Sequence, residues 1–165
     1  MHTMTDIKTE KLKFKLELWA THWDKLPTAE IFINDTSHYC SAITSTEDKP
    51  TQIEFEHTLE EGKEYTLKIV RSGKDKGQTI VENGEIVQDQ SLHIKSIEID
   101  EIDIGVLVYE GLYTPEYPEP WATQQRSTGT ALPESFKNVT SMGHNGTWEL
   151  RFTSPFYMWL LENLY

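Results

Sequence analysis

Apolar and polar side chains alternate along most of the chain. In "KLKFKLELW", Leu12, Phe14, Leu16 and Leu18 fall on one face and Lys11, Lys13, Lys15 and Glu17 on the other. A period of two is the mark of a half-buried strand. "AEIFIND" and "TQIEFEHTL" repeat it, and "KEYTLKIV" repeats it after the turn "EEGK". "TIVENGEIV" places Asn83-Gly84 between two apolar runs, the preferred pair for a type I′ hairpin turn. That register sets Glu82 opposite Glu85, a mildly unfavourable cross-strand pair.

"DQSLHIKSIEIDEIDIG" slips phase twice, between Ile94 and Ile97 and between Ile99 and Ile102. Slips of phase predict a bulge or a break, here a strand from Leu92 to Ile99, a kink near Asp100 and a continuation through Val108. A further strand is expected at "GTWELRF", opened by "HNG". Seven or eight short strands separated by turn signals predict an all-β fold, an antiparallel β-sandwich of jelly-roll or carbohydrate-module type. No helical period occurs before residue 150.

Two segments depart from this pattern. Residues 113–135, "YTPEYPEPWATQQRSTGTALPES", hold four prolines and little periodicity, as a long functional loop does. At the end, "SPFYMWLLENLY" predicts a short C-terminal helix over 154–165, with Ser154 as N-cap and Pro155 at the first position. Its polar face is almost absent, so it must be buried on most sides.

The chain of 165 residues reads as a single domain, 1–165, with enough length for a real core. A formal net charge of −12 argues against nucleic-acid and anionic-membrane partners, which call for Lys and Arg. It suits a cation or a basic partner. No apolar run approaches the ~20 residues of a membrane span, and "MHTMTDIKTEKLKF" lacks the apolar core of a signal peptide. The lone Cys40 excludes an intramolecular disulfide and reads as a small buried side chain. Sequons at Asn34, Asn138 and Asn145 read as turn chemistry or chance.

No nucleophile elbow, zinc-binding helix, phosphate loop or Cys-x-x-Cys is present. With 27 acids, finding a pair of carboxylates carries no weight for a glycoside hydrolase, the most distant alternative. The expectation is a protein that is not an enzyme and requires no cofactor. The candidate cation is calcium, which takes six to eight oxygens. Its candidate ligands are Glu82, Glu85, Asp89 and Asp100; Glu101 and Asp103 lie beside them. The competing reading gives the same carboxylates to a solvated sheet face that resists edge-to-edge aggregation. For sugars or peptides, the candidate contacts are Tyr113, Tyr117 and Trp121 in the long loop, with Trp19 and Trp23 at the end of the first strand. For any single one of these, packing in or just under the core is the leading alternative. Phe156, Trp159 and Tyr165 of the C-terminal helix are the candidate assembly contacts.

"DQSLHIKSIEID" resembles the late strand of calcium-dependent xylan-binding-like carbohydrate-binding modules, with Asp89, Leu92, Ile94 and Ile97 on the Asp-x-x-Leu-x-Val-x-x-Ile pattern. That resemblance implies a glycan ligand and makes Asp89 a calcium-site acid; "DEIDIG" stands where the family often has Asn-Gly. The stretch from "TIVENGEIVQDQSLHIKSIEIDEIDIG" to "NGTWELRFTSPFYMWLLENLY" is similar to small structural proteins of large tailed bacteriophages. This implies a non-catalytic virion component of the tail, neck or capsid surface, assembled in the host bacterial cytoplasm. Its partners would be other virion proteins or copies of itself, and a host-surface glycan. The alternative is a calcium-dependent carbohydrate-binding module.

Overall fold

The computed structural model describes residues 7–164. The strands are β1 (Thr9–Thr21), β2 (Thr28–Ile33), β3 (Thr36–Ala42), β4 (Thr51–Glu60), β5 (Glu64–Ser72), β6 (Ile80–Glu82), β7 (Glu85–Gln88), β8 (Ser91–Ile99), β9 (Ile102–Asp103), β10 (Leu112–Pro115), β11 (Phe136–Lys137), β12 (Ser141–Met142) and β13 (Gly146–Thr153). Two α-helices join them, α1 (Trp121–Ser127) and α2 (Phe156–Leu164). One sheet runs β12-β8-β1-β4, with β9 folded back on β8; the other runs β11-β10-β13-β5-β2-β3. All pairings within both sheets are antiparallel. The protein is an antiparallel β-sandwich closed at one end by a short C-terminal helix.

The period of two sets what lies inside. Leu12, Phe14, Leu16 and Leu18 of β1 face Trp148, Leu150 and Phe152 of β13, and all seven are buried. Phe14 and Phe152 meet at 6.1 Å across the gap. The outer face of the first sheet carries Glu54, Glu56 and Glu98, whereas Glu82, Glu85, Asp89 and Asp100, which the sequence offered to such a face, lie at the hairpin tip or beyond the ends of β8. Lys15 of β1 lies between Glu54 of β4 and Glu98 of β8, and Lys13 is opposite Glu56. Lys11 pairs with Glu56 at 2.8 Å. The acids flank a row of lysines, each pair worth little alone at a wet surface.

Asn83 and Gly84 both have positive φ, 53° and 79°, and the hairpin sets Glu82 opposite Glu85 as its sequence predicts. The first slip in β8 is a bulge: Leu18 faces Ile94 and Glu17 faces Ser96, which leaves Lys95 unpaired. The second is different. Asp100 and Glu101 adopt positive φ, 53° and 66°, so the strand reverses into β9 instead of continuing to Val108. Residues 105–110 then form a 3₁₀ turn. The long 113–135 segment also departs from the expected loop, because it contains β10 and α1. Cys40 is exposed on the edge strand β3 and not buried; Tyr39 turns inward in its place.

A bulge in β3 joins the two sheets. Ile31 pairs with Tyr39 and Phe32 with Ser37, so His38 is the extra residue, and bulges re-aim side chains. His38 reaches β4 of the other sheet. Its Nε2 lies 2.9 Å from His57 Nδ1, and its ring stacks on Phe55 at 4.4 Å. One neutral imidazole donates and the other accepts. Burial lowers both pKa values from the ordinary 6.5, and His38 lowers that of His57 further. The unfolded chain therefore takes up these protons first. The bridge contributes its full stability above about pH 6.5 and loses it as the pH falls through the lower folded values. Urea midpoints measured from pH 7 down to pH 5 are expected to fall, and less steeply in His57→Gln. An unchanged slope in that variant would count against the bridge.

Candidate functional site

At one end of the sandwich a groove of about 920 Å³ separates the β6–β7 hairpin from α1. Val81 and Ile86 of the hairpin supply an exposed apolar wall. The opposite wall is Pro118, Pro120, Trp121 and Gln124, and the floor comes from Lys74, Asp89, Gly143, His144 and Asn145. Trp121 opens α1 and is 37% exposed. Its ring lies 5.5 Å from that of His144, and Tyr117 completes the cluster at 5.2 Å from His144.

The floor is held from beneath. Arg71 of β5 is buried; it donates from Nη1 to Asn145 Oδ1 at 2.6 Å and from Nη2 to the Gln90 carbonyl at 2.8 Å. Burial lowers its pKa to about 10, which leaves it charged at neutral pH. Asn145 then pairs with the Lys74 backbone as a strand would: Oδ1 accepts from Lys74 N at 2.9 Å and Nδ2 donates to Lys74 O at 3.0 Å. Tyr113 holds His144 in the same manner. Its hydroxyl donates to the His144 carbonyl at 2.6 Å and accepts from the His144 amide at 2.9 Å. Burial pushes the Tyr113 pKa up to about 12. Burial lowers the His144 pKa from its ordinary value, and Lys74 and Arg71 lower it further.

Asp89 begins the β7–β8 connection. Burial alone would raise its pKa, but hydrogen bonds from Thr79, Lys74 and the Gln90 amide together hold it below the usual carboxylate value. The groove therefore presents a fixed anion, an ammonium, a neutral imidazole and an aromatic face.

The residues expected from sequence are distributed differently. Trp121 and Tyr117 belong to the site, whereas Tyr113 is buried and acts by positioning His144. The four acids expected to share calcium do not meet. Glu82 and Glu85 are at the hairpin tip. Asp89 and Asp100 lie at opposite ends of β8, roughly 30 Å apart from the rise of a strand. Asp100 instead accepts from the Lys13 amide at 3.0 Å and from the Tyr157 hydroxyl at 2.9 Å. Among the described residues no three His, Cys, Asp or Glu gather to hold a metal. Asp89 has Lys74 Nζ on it at 3.0 Å, so its surroundings do not fit a calcium ion.

The helix expectation needs correction too. Phe156 and Trp159 are buried in the sandwich's own core, against Phe152, and cannot serve as assembly contacts; Tyr165 lies outside the described residues. The exposed apolar side chains of α2 are Tyr157, Met158, Leu161 and Leu164. Lys74, His144 and Asn145 were missed. The sequon "NGT" and the turn "HNG" are the signals at Asn145, and they mark a scaffold residue.

No family model matches the chain, and no curated protein matches it. Two solved structures resemble its strand layout. One is vCBM60 in complex with galactobiose, with a TM-score of 0.47 and 7% identity over 83% of this chain and 95% of that one. The other is the selenomethionine form of vCBM60, described with a circular permutation linking two families of calcium-dependent carbohydrate binding modules. Its TM-score is 0.48, at 6% identity over 84% of this chain and 88% of that one.

Proposed function

We propose that the chain is a non-catalytic carbohydrate-binding sandwich whose ligand lies in the groove between the β6–β7 hairpin and α1. The observation that carries this reading is the exposed Trp121 ring at the groove mouth, set beside polar side chains fixed by a buried scaffold. A sugar ring has an apolar C–H face and a rim of hydroxyls. An indole offers a flat apolar partner for the face, and a few convergent polar groups on the floor give orientation. Hydrolysis is disfavoured: a general acid needs a raised pKa, and the half-buried carboxylate of the groove, Asp89, is held down.

A panel of immobilised oligosaccharides and polysaccharides tests this. The native protein should be retained by a subset of them. Trp121→Ala should bind roughly tenfold more weakly, the loss of one stacking contact, without a change in melting temperature. Equal retention of the variant would remove the groove from the function.

A second reading, a structural component of a bacteriophage particle, is favoured by the exposed apolar side chains of α2, since monomers rarely leave a continuous patch of this kind bare. The same panel separates the two, because a purely structural component retains no glycan.

A further inference from the structure

Asp89 and Lys74 meet on the floor of the groove, and their hydrogen bonds are lopsided. Oδ1 of Asp89 accepts from Lys74 Nζ at 3.0 Å, Thr79 Oγ1 at 2.7 Å and the Gln90 amide at 2.8 Å. Oδ2 accepts no hydrogen bond among the described residues, and the carboxylate is 28% exposed. Lys74 Nζ donates to Asp89 Oδ1 and, at 2.6 Å, to the Gly143 carbonyl. An ammonium has three protons, so one is left. The Lys74 backbone is locked by Asn145, and Asn145 by Arg71. One free acceptor and one free donor are thus held side by side.

Two neighbouring hydroxyls of a sugar ring are the complement of such a pair. One hydroxyl accepts from Lys74 Nζ, and the next donates to Asp89 Oδ2. Charge-assisted hydrogen bonds of this kind are shorter and stronger than neutral ones. The positive charge comes from the chain itself. Lys74 Nζ occupies the two oxygens, Asp89 Oδ1 and Gly143 O, that a cation would need first, and calcium requires six to eight.

Resting on the glycan-binding reading of the groove, we propose that Lys74 and Asp89 form a metal-free subsite for the vicinal diol of an uncharged sugar. The remaining charges of the groove set the restriction to uncharged rings. Glu116 and Glu119 line it against Lys76, while Asp75 is paired with Lys25 and Lys74 with Asp89. A sugar carboxylate would meet like charge there, which costs affinity and selects against acidic glycans.

The test uses immobilised neutral oligosaccharides and polyuronates, each in millimolar calcium and in EDTA, with native protein, Lys74→Met, Asp89→Asn and Trp121→Ala. Melting temperatures in both buffers are read alongside. Native protein is expected to be retained by neutral glycans equally in both buffers, with an unaltered melting temperature and no retention by polyuronates. Lys74→Met and Asp89→Asn are expected to bind at least about tenfold more weakly, the scale of one lost charge-assisted contact, while circular dichroism shows them folded. Should Lys74→Met not fold, Lys74→Gln replaces it. Binding abolished by EDTA, or a melting temperature raised by calcium, would assign the charge to a metal and overturn the proposal. So would retention by polyuronates, or full retention of folded Lys74→Met. If Trp121→Ala still weakens binding in that last case, the glycan reading survives without the subsite. Retention by no glycan at all sinks both.

Discussion

Removing residues 156–164 is expected to unfold the sandwich. Phe156, Trp159 and Leu160 are 0%, 8% and 7% exposed. Trp159 packs edge-on to Phe152 at 6.1 Å and against Phe156 at 6.0 Å. Losing one large buried side chain costs about 2–5 kcal/mol, and three together match the roughly 5–15 kcal/mol that holds a domain folded. Trp159→Ala alone should cost about 3–5 kcal/mol in urea denaturation. Leu161→Ala, on the exposed face of the same helix, should cost less than about 0.5 kcal/mol. A truncated protein that keeps a cooperative melt at the native temperature would make α2 an appendage.

The second large effect is expected beneath the groove. Arg71→Leu removes the charge and both donors, strands the Gln90 carbonyl and leaves Asn145 Oδ1 with the Lys74 amide alone. One unsatisfied buried acceptor costs about 1–3 kcal/mol and one lost hydrogen bond from a charged group about 1.5–3 kcal/mol, so the variant should lose roughly 2–5 kcal/mol in a urea titration. Its effect extends past stability. Asn145 would lose its anchor, and with it the fixed backbone of Lys74. A variant stable enough to purify should therefore bind neutral glycans more weakly although Arg71 does not line the groove. Native-like affinity together with the stability loss would mean that Asn145 needs no support from below.

The strands were legible because each buried face repeats every second residue, as in Leu12 to Leu18, and the β6–β7 turn because Asn-Gly is chemically suited to positive φ. The Asp100-Glu101 reversal was hidden for the converse reason. Positive φ is uncommon outside glycine, and although Asp tolerates it Glu is not favoured there, so the pair does not announce it locally, and the hydrogen bonds from Lys13 N and Tyr157 that reward Asp100 come from distant strand and helix. α1 is too short to show a period, and its seven residues follow three prolines. The groove was half legible. Trp121 and Tyr117 stand out as aromatics in a polar segment, and Asp89 as an acid at a strand end. Lys74, His144 and Asn145 come together through tertiary contacts across about 70 positions of sequence, for which a linear pattern has no signal. In α2 a nearly all-apolar sequence shows that burial occurs but not which face is buried. The fold turned Phe156 and Trp159 inward and left Tyr157, Met158, Leu161 and Leu164 outside.

Glu10 of β1 holds the beginning of α2. Its carboxylate accepts from the Ser154 hydroxyl and, at 2.8 Å, from the Phe156 amide, 146 positions away. β1 is also an inner strand of its sheet, with β8 and β4 as neighbours, and both are made after it. On the ribosome, Leu12, Phe14, Leu16 and Leu18 therefore emerge first and receive their partners late, and the helix that covers their end comes last of these elements. Contacts so far apart in sequence form slowly, and the uncovered apolar strand is the kind of surface that aggregates or recruits chaperones in the interval. Until β8 and α2 follow, that strand stays uncovered, and slower production at low temperature should raise the soluble yield more than it would for a helical protein of equal length.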